Sequence, residues 1–207
     1  YVRVLYRPDW GNQHDLFVGQ TNTEYRDAAP LFAPPTGAGT MLLFPGQGAQ
    51  KVGMLAPYEG VPGVAELFAT AAEALGWDAW ALCMHGPEEK LNDTLYSQPC
   101  VLLCSLAAAL KLARDDPDAR ARASACAGFS LGEYTALVFA GALDLRSALE
   151  LLKARGAAMA RAAALEPTGM MTVVGLDDAE LAPLCAAHSC SVANQLFPKV
   201  LLVLLPR

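Results

Sequence analysis

A serine lies between two glycines in Gly128-Phe129-Ser130-Leu131-Gly132-Glu133-Tyr134, where an apolar strand-like segment gives way to a helical one. So sharp a turn lifts the hydroxyl clear of a sheet and points the next amide N–H at a carbonyl under attack, which is the chemistry of a serine nucleophile in acyl transfer. The glycines leave room for the turn and for close packing. Upstream, Met41-Leu42-Leu43-Phe44 reads as a short buried strand running into Pro45-Gly46-Gln47-Gly48-Ala49-Gln50. That glycine-rich turn can present backbone N–H groups to an anion. An ordinary strand-to-helix loop accounts for Gly46 and Gly48 but gives no reason for Gln47.

The elements around these two motifs follow α/β order. Residues 61–75 form an alanine-rich helical pattern, and residues 98–113 another, with apolar positions at Val101, Leu102, Cys104, Leu106 and Leu110. Asp115-Asp116-Pro117-Asp118 ends it. Residues 123–129 supply a strand into the serine turn, and residues 132–139 a helix out of it. Residues 146–164 form one more long helix, closed by Pro167-Thr168-Gly169. A different unit follows: strand 170–176, a helix at 177–187 capped by aspartates, strand 191–194 and strand 199–205. Residues 1–39 show no helical or strand periodicity and a Pro-rich end, and read as a poorly ordered leader.

Composition bounds the possibilities. With 207 residues, 54% of them hydrophobic, the chain can bury a sizeable core and suits one domain with a smaller appendage. A net charge of −6 argues against nucleic acid as a partner, so an anionic partner must meet a local basic patch. Arg146, Lys153, Arg155 and Arg161 are the candidates, with a solvated helix face as the alternative. The six cysteines, without a Cys-x-x-Cys pair, read as reduced and mostly buried thiols, and no metal site is indicated. No apolar run approaches the roughly 20 residues of a membrane span, so no membrane partner is expected.

Taken together, the two motifs resemble the malonyl-CoA:acyl-carrier-protein transacylases, whose sequences carry a Phe-Pro-Gly-Gln-Gly-Ser-Gln turn and a Gly-x-Ser-x-Gly-Glu-Tyr/Phe elbow. Ala49 stands here in place of the usual serine. The similar segments continue through His85-Gly86-Pro87-Glu88-Glu89-Lys90-Leu91-Asn92-Asp93-Thr94, Gln98-Pro99 and Ala136-Leu137-Val138-Phe139-Ala140-Gly141-Ala142-Leu143, spanning residues 41–197. Phe129 replaces the histidine usual in bacterial members, which is similar to the animal mitochondrial enzymes and implies residence in the mitochondrial matrix. The resemblance implies an α/β-hydrolase-like core with a parallel sheet at residues 40–168. Residues 169–207 would be an incomplete start of the family's ferredoxin-like small subdomain with an atypical tail.

The implied chemistry is transfer of a malonyl group from coenzyme A to the phosphopantetheine thiol of acyl carrier protein, with no cofactor and malonyl-CoA as substrate. Ser130 would be the nucleophile, and the backbone N–H groups of Gln47 and Leu131 would hold the oxyanion, each worth roughly 3 kcal/mol. Arg155, twenty-five residues beyond Ser130, matches the family arginine that grips the free carboxylate of malonate. Its planar fork would favour a carboxylate-ended acyl group over acetyl. Gln98 matches a family glutamine facing the active-site gorge, while Glu133 supports the elbow helix through a negative charge in its first turn.

The family's activating histidine matches none of His14, His85 and His188, each expected to be structural. After Phe197-Pro198 the resemblance stops, and residues 199–207 read like a foreign tail on a truncated or mispredicted product. The expectations are an impaired enzyme with apolar surface exposed at the break. Two alternatives are a non-catalytic fragment that binds acyl carrier protein or coenzyme A, and a serine esterase of α/β-hydrolase type. The esterase would need an acid and a histidine after the serine and would have no use for Arg155.

Overall fold

In the computed structural model, residues 2–4, 40–165 and 168–206 are described. They fall into two compact units, Val2–Ala157 and Ala158–Arg207.

In the first unit, β1 (Val2–Val4) and β2 (Thr40–Phe44) flank a third strand. Between β2 and that strand come a 3-10 turn (Ala56–Tyr58) and five helices: α1 (Val64–Leu75), α2 (Ala79–His85), α3 (Glu88–Asn92), α4 (Thr94–Asp115) and α5 (Ala119–Arg122). The strand they lead into is β3 (Ala123–Phe129), which runs parallel to β2 with Phe44 opposite Gly128. A helical crossover of this length is what parallel pairing requires. α6 (Leu131–Phe139) and α7 (Leu145–Leu165) follow. β1 pairs antiparallel with β3, Val2 opposite Phe129, where the sequence gives no strand periodicity; three residues are too few to show one. The rest of the leader, including His14, lies outside the described residues.

α4 forms the centre of the core. Cys100, Val101, Leu102, Leu103, Leu106 and Ala107 are buried along it, against Leu67, Phe68 and Ala71 of α1, Leu131, Ala136 and Phe139 of α6, and Leu149 and Leu152 of α7. The Phe44 and Phe139 rings meet at 5.4 Å between centroids and tie β2 to α6. α4 starts four residues before the expected Gln98, because the Asp93 side chain accepts from the Leu95 N–H at 2.8 Å and caps a new first turn. Pro99 therefore lies inside the helix instead of opening it. At 22 residues α4 is also apolar and long enough to cross a membrane by length and composition, contrary to the sequence reading, with more than half of that stretch buried inside the protein. Core helices pass the same test.

The second unit holds β4 (Thr168–Val174), α8 (Asp178–Ala187), β5 (Ser191–Phe197) and β6 (Val200–Pro206). β6 runs antiparallel between β4 and β5, so β4 and β5 are parallel to each other on either side of it. This is the split β-α-β arrangement with which a ferredoxin-like fold begins. Asp177 and Glu180 form a reciprocal capping box at the start of α8. The strand expected at residues 199–205 is the central strand of this sheet, with Leu201 and Val203 buried with Leu181 and Cys185. A run of valine and leucine is what a strand paired on both edges needs.

Candidate active site

The crossing of β2, β3 and α6 fixes the serine turn. Ser130 has φ 52° and ψ −104°, a conformation a side-chain-bearing residue adopts only under constraint, and the strain costs about 1–3 kcal/mol. The constraint comes from its neighbours. A Cβ on Gly128 would sit 1.9 Å from the Gly132 carbonyl carbon, and one on Gly132 would sit 2.2 Å from the Phe44 oxygen. Two glycines thus let strand, helix and β2 meet where other residues would clash. The Ser130 side chain makes no cap hydrogen bond to α6, so its hydroxyl is left for the site.

That hydroxyl accepts a hydrogen bond from Arg155 Nη2 at 2.8 Å, and Arg155 Nη1 donates to Gln98 Oε1. Gln98 is fully buried. The Arg155 guanidinium carbon lies 5.9 Å from the centre of the Tyr134 ring, within reach of a cation–π contact. Three sequence-chosen residues, Ser130, Arg155 and Gln98, therefore meet directly although 25 and 57 positions separate the arginine from its partners. Gly156 makes the meeting possible. A Cβ there would come within 3.2 Å of the Thr94 oxygen and 3.4 Å of the Leu95 Cα, so the glycine after Arg155 lets α7 lie close to the first turn of α4. A lone glycine within a helical pattern signals such an approach.

The glycine-rich turn lies beside the elbow. A Cβ on Gly46 would be 2.8 Å from the Phe129 ring and 2.9 Å from its oxygen. Gln47 Nε2 donates to Thr94 Oγ1 at 3.2 Å, the Gly48 N–H to Gln50 Oε1 at 2.8 Å, and Gln50 Nε2 to Asn92 Oδ1 at 2.9 Å. Asn92, Thr94, Gln50, Tyr134 and Gly156 were not singled out from sequence. Leu131, the other expected oxyanion donor, is buried as the first residue of α6. Two of the five guanidinium donors of Arg155 are engaged by Gln98 and Ser130, beside a hydroxyl on a strained turn at a helix N-terminus.

The remaining candidates lie elsewhere. Of the basic patch, Arg146 pairs with Glu73 at 2.8 Å and Lys153 donates to the Ala74 oxygen at 3.1 Å, so two of its members are engaged with α1. His85 ends α2 and His188 caps the C-terminus of α8. Among the described residues no histidine is hydrogen-bonded to Ser130, and no cluster of three metal-ligating side chains occurs. An apolar cleft of about 330 Å³ opens beside β2 and α4 and reaches the glycine-rich turn, lined by residues including Phe44, Pro45, Ala49, Tyr58, Cys104 and Leu112. Burial pushes the Cys104 thiol up to about 12, and a hydrogen bond with Cys100 followed by burial raises Cys83, so neither is a competing nucleophile near neutral pH.

The mitochondrial malonyl-CoA-acyl carrier protein transacylase of Mus musculus is 40% identical over 185 residues, 84% of this chain and 48% of the mouse protein. The malonyl CoA-acyl carrier protein transacylase of Escherichia coli K12 is 46% identical over 145 residues, 69% of this chain and 46% of its own length. No family model matches. Among solved structures, the Mycobacterium tuberculosis enzyme MCAT aligns with a TM-score of 0.71 at 34% identity, covering 80% of this chain and 55% of that one. A malonyl-transacylase captured with its type II polyketide acyl-carrier protein gives 0.70 at 36% identity, covering 82% and 55%. The chain spans about half the length of the curated relatives it matches.

Proposed function

We propose, from the premise that this chain is homologous to the malonyl-CoA:acyl carrier protein transacylases over about half their length, that it forms the nucleophile-bearing part of such an enzyme. Ser130 Oγ attacks the thioester carbonyl of malonyl-CoA, the carbon–sulfur bond breaks, and coenzyme A leaves as the thiol. The malonyl ester on Ser130 then passes to the phosphopantetheine thiol of acyl carrier protein by the same two steps in reverse, without a cofactor. The N–H groups of Gln47 and Leu131 stabilise the tetrahedral oxyanion, each by roughly 3 kcal/mol. Arg155, held by Gln98, grips the free carboxylate.

The observation that carries this reading is the guanidinium of Arg155 at 2.8 Å from the nucleophile oxygen. A fixed cation at that distance suits an acyl group whose far end is an anion. A simple esterase has no use for it, since it would leave a charge unpaired beside an apolar acyl chain. The Ser130 proton must go to a base that its described neighbours do not include, so acylation by these residues is slow, by several orders of magnitude against a triad. We take residues 40–168 as the acyltransferase core and 169–207 as the small subdomain. The names of the animal relatives support a mitochondrial location, within which we place it in the matrix.

The test is the intact mass of the 207-residue chain after incubation with malonyl-CoA, beside Ser130→Ala. A malonyl adduct absent from the variant is expected. No adduct from a folded chain would remove the catalytic reading.

A further inference from the structure

The two halves of the site, oxyanion turn and carboxylate grip, are both fastened to one short stretch of chain. The base of the turn is fixed by packing, through Gly46 against Phe129 and the Phe44 and Pro45 oxygens against Gly132. Its tip is not. A Cβ on Gly48, at φ +109°, would meet nothing within 4 Å, so packing leaves the tip open and hydrogen bonds must hold it. Those bonds run to the junction of α3 and α4: Gln50 bridges from the Gly48 N–H to Asn92, and Gln47 reaches Thr94. The junction is itself rigid, because the Asp93 N–H is bonded to the Glu89 and Lys90 oxygens and its side chain caps α4. One helical turn further on, the same α4 presents Gln98 to Arg155.

We propose that Asn92, Thr94 and Gln50 are positioning residues that hold the Gln47 N–H on the reacting carbonyl, and that residues 92–98 act as a common anchor for the oxyanion donor and the acyl-selecting arginine. The inference rests on the transacylase reading for its chemistry, but the clamp itself is a property of the fold. An N–H aimed at a developing oxyanion helps only if it is already in place, and a turn with an unpacked tip wanders unless it is tied. The division of labour is specific. Loosening the clamp slows attack on any thioester carbonyl, whereas loosening Gln98 or Arg155 alters which acyl group is accepted.

Hydrogen–deuterium exchange on the 207-residue chain tests the clamp without requiring turnover. Thr94→Val removes the tie from Gln47 and Gln50→Met removes both bonds of the Gly48–Gln50–Asn92 bridge, the second from the turn side without touching the helix cap, and exchange across residues 46–50 should rise about five-fold. Protection in β3 and α6 should stay unchanged, and Thr94→Ser should restore the parent pattern. Unchanged exchange across the turn in Gln50→Met overturns the proposal, even if Thr94→Val fails to fold. In each variant, single-turnover acylation of Ser130 should fall by the same factor with malonyl-CoA as with acetyl-CoA; a fall that differs between the two thioesters would assign these residues to acyl selection and overturn the assignment to the oxyanion. A parent chain that takes no malonyl defeats the transacylase reading, while the exchange result still decides the clamp.

Discussion

Arg155 divides its guanidinium between Gln98 and the Ser130 oxygen, so in the proposed function an incoming acyl carboxylate would meet a cation whose orientation is already fixed. Preorganisation of this kind lowers the cost of binding and sharpens selection. Replacing it by alanine should lower the malonyl-to-acetyl ratio of Ser130 acylation roughly a hundred-fold, the equivalent of about 3 kcal/mol of lost charged hydrogen bonding. An unchanged ratio would show that the carboxylate sits elsewhere. The glycines make a separate, purely steric prediction. Gly128→Ala places a methyl 1.9 Å from the Gly132 carbonyl carbon with backbone on the far side, so nothing flexible can yield. It should destabilise the first unit by about 3 kcal/mol, read from urea unfolding, and a loss below about 1 kcal/mol would mean that the elbow can open.

At the scale of elements, α7 delivers the arginine and α4 receives it. The start of α7 is held by Asp144, whose side chain accepts from the Ser147 N–H at 2.9 Å. Partial burial pushes the Asp144 carboxyl up, but hydrogen bonds from Ser147 together with the backbone N–H groups of Asp144 and Arg146 outweigh this and leave it below the usual carboxylate range. A carboxyl lowered by folding contributes stability that is fully present above its unfolded value of about 3.9 and disappears as pH falls through the folded value. Asp144→Ala should therefore cost about 1 kcal/mol at pH 7, with the difference from the parent fading in strong acid. A gap that stays constant from pH 7 to pH 2 would show the cap is not acting through its charge. α4 illustrates the limits of pattern reading: Gln98-Pro99 resembles a helix start, yet Asp93 caps the helix earlier and places Gln98 one turn inside, where it can reach Arg155.

On the scale of the whole molecule, β2 has β3 as its partner among the described residues and leaves Leu43 68% exposed at the apolar cleft and Met41 45% exposed. Strands of parallel sheets are ordinarily covered on both faces, so this surface should promote self-association. Leu43→Lys should reduce dye binding to apolar surface and raise the concentration at which the chain associates; no change would mean that the cleft is closed in solution. The sequence by itself determined what depends on neighbours along the chain: the Gly-x-Ser-x-Gly elbow, the Gln47 turn, the helices with apolar positions at helical spacing, and the position of Arg155 through its motif. It did not reveal Asn92, Thr94 or Gly156 as parts of the site, and it marked residues 199–205 as a strand without showing that this strand lies between two others. Those roles arise from contacts across 42 and 47 positions and from the approach of one helix to another. A side chain's local pattern fixes the element it joins, but only the packing of those elements determines which distant groups its hydrogen bonds reach, and this decided the geometry of the site.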